Sequence, residues 1–263
     1  MSVFQAIFLG AVQGLTEFLP VSSSGHLVFF QSLFGLEKPQ VAFDVMLHLG
    51  TLLAVVVYFR TDISQILLGT WAWIKGRREG EEKANLFLWI IVATIPTGLM
   101  GVIFKDWFES LFSRPQTVGL MLLVTGGALW LTRTVKRKEK TTGEMGAVDA
   151  LIIGIAQGVA IIPGISRSGA TISAGIFCHL NRELAGKFSF LLSIPAILGA
   201  AFLKFRKIDV GSDVGVTLIG MAVAFFVGLL SLKLLMRIVR TGRLSDFSYY
   251  CWAIGIVMIL LTR

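Results

Sequence analysis

The chain has 263 residues, of which 55% are hydrophobic and only 15% charged, with a mean hydropathy of +0.78. Soluble globular chains carry about 25% charged residues, so a cytosolic enzyme and a disordered chain are excluded, and two cysteines, Cys178 and Cys251, make neither a disulfide scaffold nor a zinc cluster. The net charge of +8 sits in loops between long apolar blocks, which marks membrane orientation rather than a nucleic-acid surface, so no nucleic-acid partner is expected.

In chain order, residues 1–10 lack the basic start and cleavage site of a signal peptide and read as mature protein. Residues 3–16 are apolar, 17–26 are polar, and 27–36 are apolar again. Apolar stretches at 44–59, 86–104, 117–132, 187–203, 214–236 and 247–261 are long enough, or nearly so, to cross about 30 Å of hydrocarbon as helices. Residues 60–84 and 105–116 read as loops. A second interrupted region runs from 151 to 163, breaks at Ser166, Arg167 and Ser168, and resumes over 169–180. Its arms, like those of the first, have 10 to 14 residues, or roughly 15–21 Å of helix. Such arms reach the middle of a bilayer and stop, where irregular backbone survives only inside protein or beside a wet cavity. Both regions read as re-entrant helix hairpins.

The hairpins match each other. Gly10, Gln13 and Gly14 align with Gly154, Gln157 and Gly158, and Pro20, Ser22, Ser24 and Gly25 align with Pro163, Ser166, Ser168 and Gly169. Three apolar stretches follow each. The expected fold class is therefore an all-α polytopic membrane protein made of two inverted repeats, each a re-entrant hairpin plus three transmembrane helices. The repeats cover about 1–133 and 146–263 of one membrane domain, with 134–145 as linker. With both hairpins re-entrant, the loops 60–84, 133–147, 178–187 and 237–246 share one side with 15 Lys and Arg, against 7 on the other. The richer side is expected to be cytoplasmic, with both termini outside. Full crossing of both hairpins would make the count 14 against 8, so arm length is the stronger ground for re-entry.

Glu17, His26 and Arg167 are ionisable residues flanked by apolar sequence, a costly arrangement unless they are paired or wet. All three fall on the two break points, so Glu17 and His26 in one hairpin loop should meet Arg167 at the tip of the other, among Ser22, Ser23, Ser24, Ser166 and Ser168. That set suits a phosphate ester or anhydride. Arg binds phosphate oxygens bidentately, and Pro-x-Ser and Pro-x-x-Ser look like serine-capped helix starts with free N–H groups. Gly25 and its counterparts let backbone approach phosphate closely. Glu17 can hold Mg²⁺ or Ca²⁺, and His26 can shuttle a proton or attack phosphorus. The attacking group is Ser23, His26 or an activated water. Plainer readings stand beside these: Gly and Ser as packing residues, His26 as a structural histidine, and Glu17 with Arg167 as a salt bridge without a ligand. Asp44 and His48 share a helix face and read as an interfacial cap or as a pair supporting the site, the structural role being favoured, and Gln13 and Gln157 read as interhelical hydrogen-bonding residues, with Gln13 on the helical face of Glu17.

At these motifs the chain resembles the bacterial undecaprenyl-diphosphate phosphatase family, also known as the bacitracin-resistance protein family. Gln13 and Glu17 match its Glu/Gln-x-x-x-Glu motif, which continues through Pro20, Ser22, Ser23, Ser24, Gly25 and His26. Pro163, Gly164, Ser166, Arg167, Ser168 and Thr171 match its Pro-Gly-x-Ser-Arg-Ser-x-x-Thr motif, and 43–51 also resembles a family stretch. The resemblance implies an inner-membrane hydrolase that converts undecaprenyl diphosphate to the monophosphate and recycles the lipid carrier of cell-wall synthesis. It implies a polyprenyl diphosphate substrate among membrane lipids, and leaves a homodimer open. It further implies catalysis by Glu17, His26, Arg167 and Ser23, and phosphate binding by Ser22, Ser24, Gly25, Ser166, Ser168 and Thr171. A divalent cation, Mg²⁺ or Ca²⁺, is implied at Glu17 and Gln13, where Gln13 stands in a position that some members fill with a carboxylate. The rival reading is a polyprenyl-phosphate flippase or transporter, since inverted repeats with broken helices also build carriers.

Overall fold

The structure, a computed structural model, describes residues 1–36, 40–112, 115–135, 139–205 and 214–261. Basic residues counted above at 38, 114, 136–138, 206, 207 and 263 lie outside that set. The described residues form α1 (Val3–Phe18), α2 (Ser23–Leu33), α3 (Val41–Tyr58), α4 (Arg60–Ile74), α5 (Glu81–Ile103), α6 (Lys105–Phe112), α7 (Pro115–Leu131), α8 (Ala147–Val159), α9 (Arg167–Phe177), α10 (Arg182–Phe205), α11 (Val214–Arg240) and α12 (Phe247–Leu261). No strand occurs among them, only one bridge between Lys140 and Leu180.

Five segments are long and apolar enough to cross a membrane: Val41–Tyr58, Arg78–Ile103, Arg182–Leu203, Val214–Arg240 and Leu244–Leu261. They coincide with five of the six expected crossings. The sixth is α7, a 17-residue apolar helix packed along α12. Phe202 is 81% exposed, and Leu230 and Phe226 also face outward, which is stable only against lipid. This is an all-helical, multi-pass membrane protein.

Two expected loops are helical instead. Residues 60–74 form α4, whose Leu67, Leu68, Trp71 and Ile74 are exposed while Ile66 is buried. The basic residues around it signal a loop, but its apolar residues recur at helical spacing, and Lys75 lies over the Trp71 ring at 4.8 Å. Residues 105–112 form α6, which buries Phe108 and Leu111 and leaves Trp107 outward.

Helices α1 and α2 form one hairpin and α8 and α9 another. Phe4 and Phe8, near the start of α1, meet Phe34 at the end of α2. At the mouth of the second hairpin, the Lys140 N–H donates to the His179 carbonyl and the Asn181 N–H to that of Lys140. Ser2 caps α1 in a reciprocal box with Gln5. Asp149 accepts from the Gly146 N–H at the start of α8 and binds Lys140 at 2.9 Å.

Each hairpin is seated against a long helix from the other half of the chain. α1 runs parallel to α11, with a Cβ on Gly10 falling 2.5 Å from the Gly220 carbonyl oxygen, and the Ser231 hydroxyl donates to the Leu15 carbonyl. α8 runs parallel to α5, with Gly154 against the Ala93 carbonyl and Thr97 donating to the Gly154 carbonyl at 2.9 Å. Both crossings admit only glycine, because the obstacle is backbone. Gly154→Val should therefore lower the thermal midpoint of the detergent-solubilised protein, at an overpacking cost of about 1–3 kcal/mol; an unchanged melting curve would contradict this packing.

The four basic loops gather at one end of the molecule. Asp62 binds Lys187 at 2.6 Å, Arg240 binds Glu183 at 2.6 Å, and Arg78, Glu79 and Asn85 share a groove with Thr141 and Gly143. The core beneath the hairpin tips is aromatic: Phe190 of α10 packs against Phe18 of α1 and Phe59.

Candidate active site

The first hairpin turns over residues 19–22, where Pro20 cannot extend α1. Glu17 therefore lies in the last turn of α1 and His26 in the first turn of α2, not in the loop where the polarity pattern set them. The second hairpin turns over 160–166, using Gly164 at φ 96°, and Arg167 opens α9. The two tips touch: the Gly164 N–H donates to the Ser22 hydroxyl at 3.2 Å.

Glu17 is the hub. Arg167 Nη2 donates to its Oε1 at 2.8 Å, while Ser23 Oγ at 2.6 Å and Gln13 Nε2 at 3.1 Å donate to Oε2. Glu17 is 6% exposed and the Arg167 side chain 16%, so the pair is largely buried, a setting in which losing either partner is strongly destabilising. Two polar atoms of this cluster remain buried without a partner, Arg167 Nη1 and Gln13 Oε1. Buried donors and acceptors are nearly always paired, so these two atoms are the places in the cluster, among the described residues, where a ligand could bind.

The serines divide by role. Ser166 caps α9, accepting from the Gly169 N–H at 3.1 Å, and lies 3.2 Å from the Ser168 hydroxyl. The matching cap at Ser22 does not form. Ser22 has φ 67°, makes no side-chain cap, and turns its hydroxyl to Gly164 and, at 3.4 Å, to Ser24. Left-handed backbone is costly for a residue with a Cβ, and such strain concentrates at functional turns. Gly25 packs against Val118 of α7. Thr171 is turned away from Glu17, bonded to the Arg167 carbonyl at 2.8 Å and the Ser189 hydroxyl at 2.5 Å.

His26 does not touch Glu17 or Arg167. Its Nδ1 lies 2.8 Å from the Ser22 carbonyl and its Nε2 2.8 Å from the Tyr250 hydroxyl. A carbonyl only accepts, so Nδ1 carries the proton and Nε2 accepts from Tyr250. His48 stands closer to the hub: its Nδ1 accepts from Gln13 Nε2 at 2.9 Å and lies 3.4 Å from Glu17 Oε2. Sequence reasoning gave His48 a structural role and did not single out Tyr250. A histidine inside the apolar run of α3 was the available signal for the first. Asp44, paired with it in the sequence reading, instead accepts from Gln31 at 2.6 Å.

Among the described residues no three His, Cys, Asp or Glu side chains form a metal cage. The donors present are mainly oxygens, the Glu17 carboxylate, Ser23 Oγ and the unpaired Gln13 Oε1, with the His48 Nδ1 nitrogen 3.4 Å from Glu17 Oε2. One carboxylate with neutral oxygens fits a hard cation that shares its shell with water and a phosphate ligand.

A model of the family described as bacitracin resistance protein BacA matches residues 6–257. A protein of Carboxydothermus hydrogenoformans named undecaprenyl-diphosphatase is 46% identical over 267 residues, covering 99% of this chain and 98% of its own. Proteins of the same name from Halothermothrix orenii and Methanosphaera stadtmanae are each 44% identical, covering 99% and 100% of this chain and 98% and 99% of theirs. The chain belongs to the bacitracin resistance protein BacA family.

Proposed function

We propose that this protein is an integral-membrane phosphatase that hydrolyses undecaprenyl diphosphate to undecaprenyl phosphate and inorganic phosphate, recycling the lipid carrier of cell-wall synthesis and conferring resistance to bacitracin. Family membership and the name carried by relatives of matching length support the substrate. The observation that carries the chemistry is Ser23 Oγ, 2.6 Å from a carboxylate that also holds Arg167.

In this reading Ser23 is the attacking group. Its oxygen bonds to the terminal phosphorus as its proton passes to Glu17, and the phosphorus–oxygen bond to undecaprenyl phosphate breaks, releasing that product as an anion. Water then attacks the phosphoserine; Ser23 Oγ leaves with the proton Glu17 had taken, and the released phosphate keeps both hydrogens of the water. Arg167, with Nη1 free, turns from Glu17 to the phosphoryl oxygens, where neutralising charge is most of what phosphoryl transfer requires. Ser22, Ser24, Gly25, Ser166 and Ser168 lie around the tips as hydrogen-bonding and close-approach groups. Direct attack by His26 is disfavoured because both ring nitrogens are engaged. A bound Mg²⁺ or Ca²⁺, held by Glu17 and Gln13, would add Lewis-acid neutralisation of the diphosphate.

The architecture belongs to the same reading: one membrane domain of two inverted repeats, about 1–133 and 146–263, joined by 134–145, whose re-entrant hairpins meet near mid-depth. Support comes from the parallel seating of α1 on α11 and α8 on α5, which opens the hairpins toward opposite ends of the bundle. The gathering of the basic loops at one end supports a cytoplasmic assignment there, with both termini outside. A homodimer remains part of the proposal.

The test is phosphate release by purified protein in detergent from a polyprenyl diphosphate. Turnover is expected there, and a chelator should suppress it at least tenfold until Mg²⁺ or Ca²⁺ is restored. Lipid movement across sealed vesicles without phosphate release would favour the flippase; turnover indifferent to chelation would remove the cation.

A further inference from the structure

Tyr250, on the last helix, reaches the turn of the first hairpin. Its hydroxyl lies 2.8 Å from His26 Nε2, and its ring lies edge to edge with the imidazole, centroids 5.9 Å apart and planes 13° from parallel. His26 is only 5% exposed. The ring is thus held by two hydrogen bonds: the Ser22 carbonyl accepting from Nδ1–H and the Tyr250 O–H donating to Nε2. Ser22 is the strained residue of the turn, and Ser23 follows it.

We infer that Tyr250 is a positioning residue for the phosphatase reaction, acting through His26 to hold the strained Ser22 turn so that Ser23 stays aimed at Glu17. The inference rests on the phosphatase reading for its kinetic consequence, but its structural half stands alone. An imidazole free to rotate about χ2 offers Ser22 either its Nδ1 or a carbon. The tyrosine hydroxyl supplies a donor that only one orientation and one tautomer can accept. With both ends fixed, the Ser22 carbonyl keeps its second donor besides the His26 N–H, and the left-handed turn keeps its compensation. Ser23 Oγ is then delivered within 2.6 Å of Glu17 before substrate arrives, the kind of preorganisation in which a displacement of about 1 Å costs on the order of a hundredfold in rate. Tyr250 touches neither Glu17 nor Arg167 in this geometry, so its loss should act on turnover rather than on substrate capture.

The experiment is Tyr250→Phe, which keeps the ring and removes only the hydroxyl, with Tyr249→Phe as control because the Tyr249 ring packs edge-on against Trp252. Two readouts are taken on full-length protein in detergent: kcat and KM for phosphate release, and ¹⁵N imidazole NMR, in which three histidines are distinguished by substitution. The expected result is a fall in kcat of about tenfold with KM within twofold, a His26 Nε2 resonance moved toward the value of an unbonded lone pair, and Tyr249→Phe unchanged on both. An unmoved Nε2 resonance, an unaltered kcat, or a loss expressed only in KM would overturn the inference. Wild-type protein without turnover would defeat the phosphatase reading instead, and the NMR arm would still decide whether Tyr250 holds His26.

Discussion

Arg167→Ala should release phosphate from a polyprenyl diphosphate about 100- to 1,000-fold more slowly than wild type, the usual loss when one preorganised charge-stabilising donor is removed. The guanidinium has two jobs. At rest it neutralises Glu17 through Nη2, and Nη1 is held buried with nothing to bind. In the proposed reaction it would meet the charge of the phosphoryl group. Removing it also strands a carboxylate that is 6% exposed, and breaking a buried pair costs about 3–5 kcal/mol of stability. Arg167→Lys therefore accompanies it: the charge is kept, the planar fork is lost, and turnover should still fall at least tenfold with the fold intact. Near-normal turnover in Arg167→Lys would mean that bidentate binding is irrelevant, and near-normal turnover in Arg167→Ala would remove the site.

The second large effect belongs to Ser23. Ser23→Ala should cut turnover by at least about a thousandfold, as loss of a nucleophile does elsewhere. Its cost to stability is smaller, because Glu17 keeps Arg167 and Gln13 as partners; losing one hydrogen bond to a charged group is worth about 1.5–3 kcal/mol. Wild-type protein quenched in SDS at mildly alkaline pH, where phosphoserine and phosphohistidine both survive, should carry label on serine during turnover of a terminally labelled substrate, and Ser23→Ala should carry none. Label on a histidine would transfer the role to His26. Full activity in Ser23→Ala would leave water, activated by Glu17, as the attacking group.

The sequence made the broken helices legible because polar residues interrupted apolar arms too short to cross a bilayer. Glu17 and Arg167 were legible as neighbours because matched motifs implied matched tips, and they lie 2.8 Å apart. Other features were hidden for physical reasons. Glu17 reads as loop by polarity, yet the carboxylate stays helical because its charge is paired and the first residue unable to continue α1 is Pro20. α4 was hidden by Arg60, Asp62, Lys75 and Arg77, charges that signal a solvated segment but here flank an amphipathic helix. The apolar run around His48 marked that residue, but the partners of His48 and Tyr250 were beyond reach of local pattern: their contacts join residues 35 and 224 apart in the chain. The failed cap at Ser22 is a conflict between local and tertiary preference, in which the facing hairpin claims the hydroxyl.

The seating of α1 along α11 imposes an order on biosynthesis. Helix α1 finds its permanent neighbour only when residues 214–240 emerge from the ribosome, and Tyr250 follows later still. Until then the amino-terminal hairpin must lodge against some provisional surface, with Glu17 lacking its own arginine for about 150 residues of synthesis. A chain arrested before the eleventh helix would already hold Glu17, Ser23 and Arg167, yet its first hairpin would lack the helix on which it is seated.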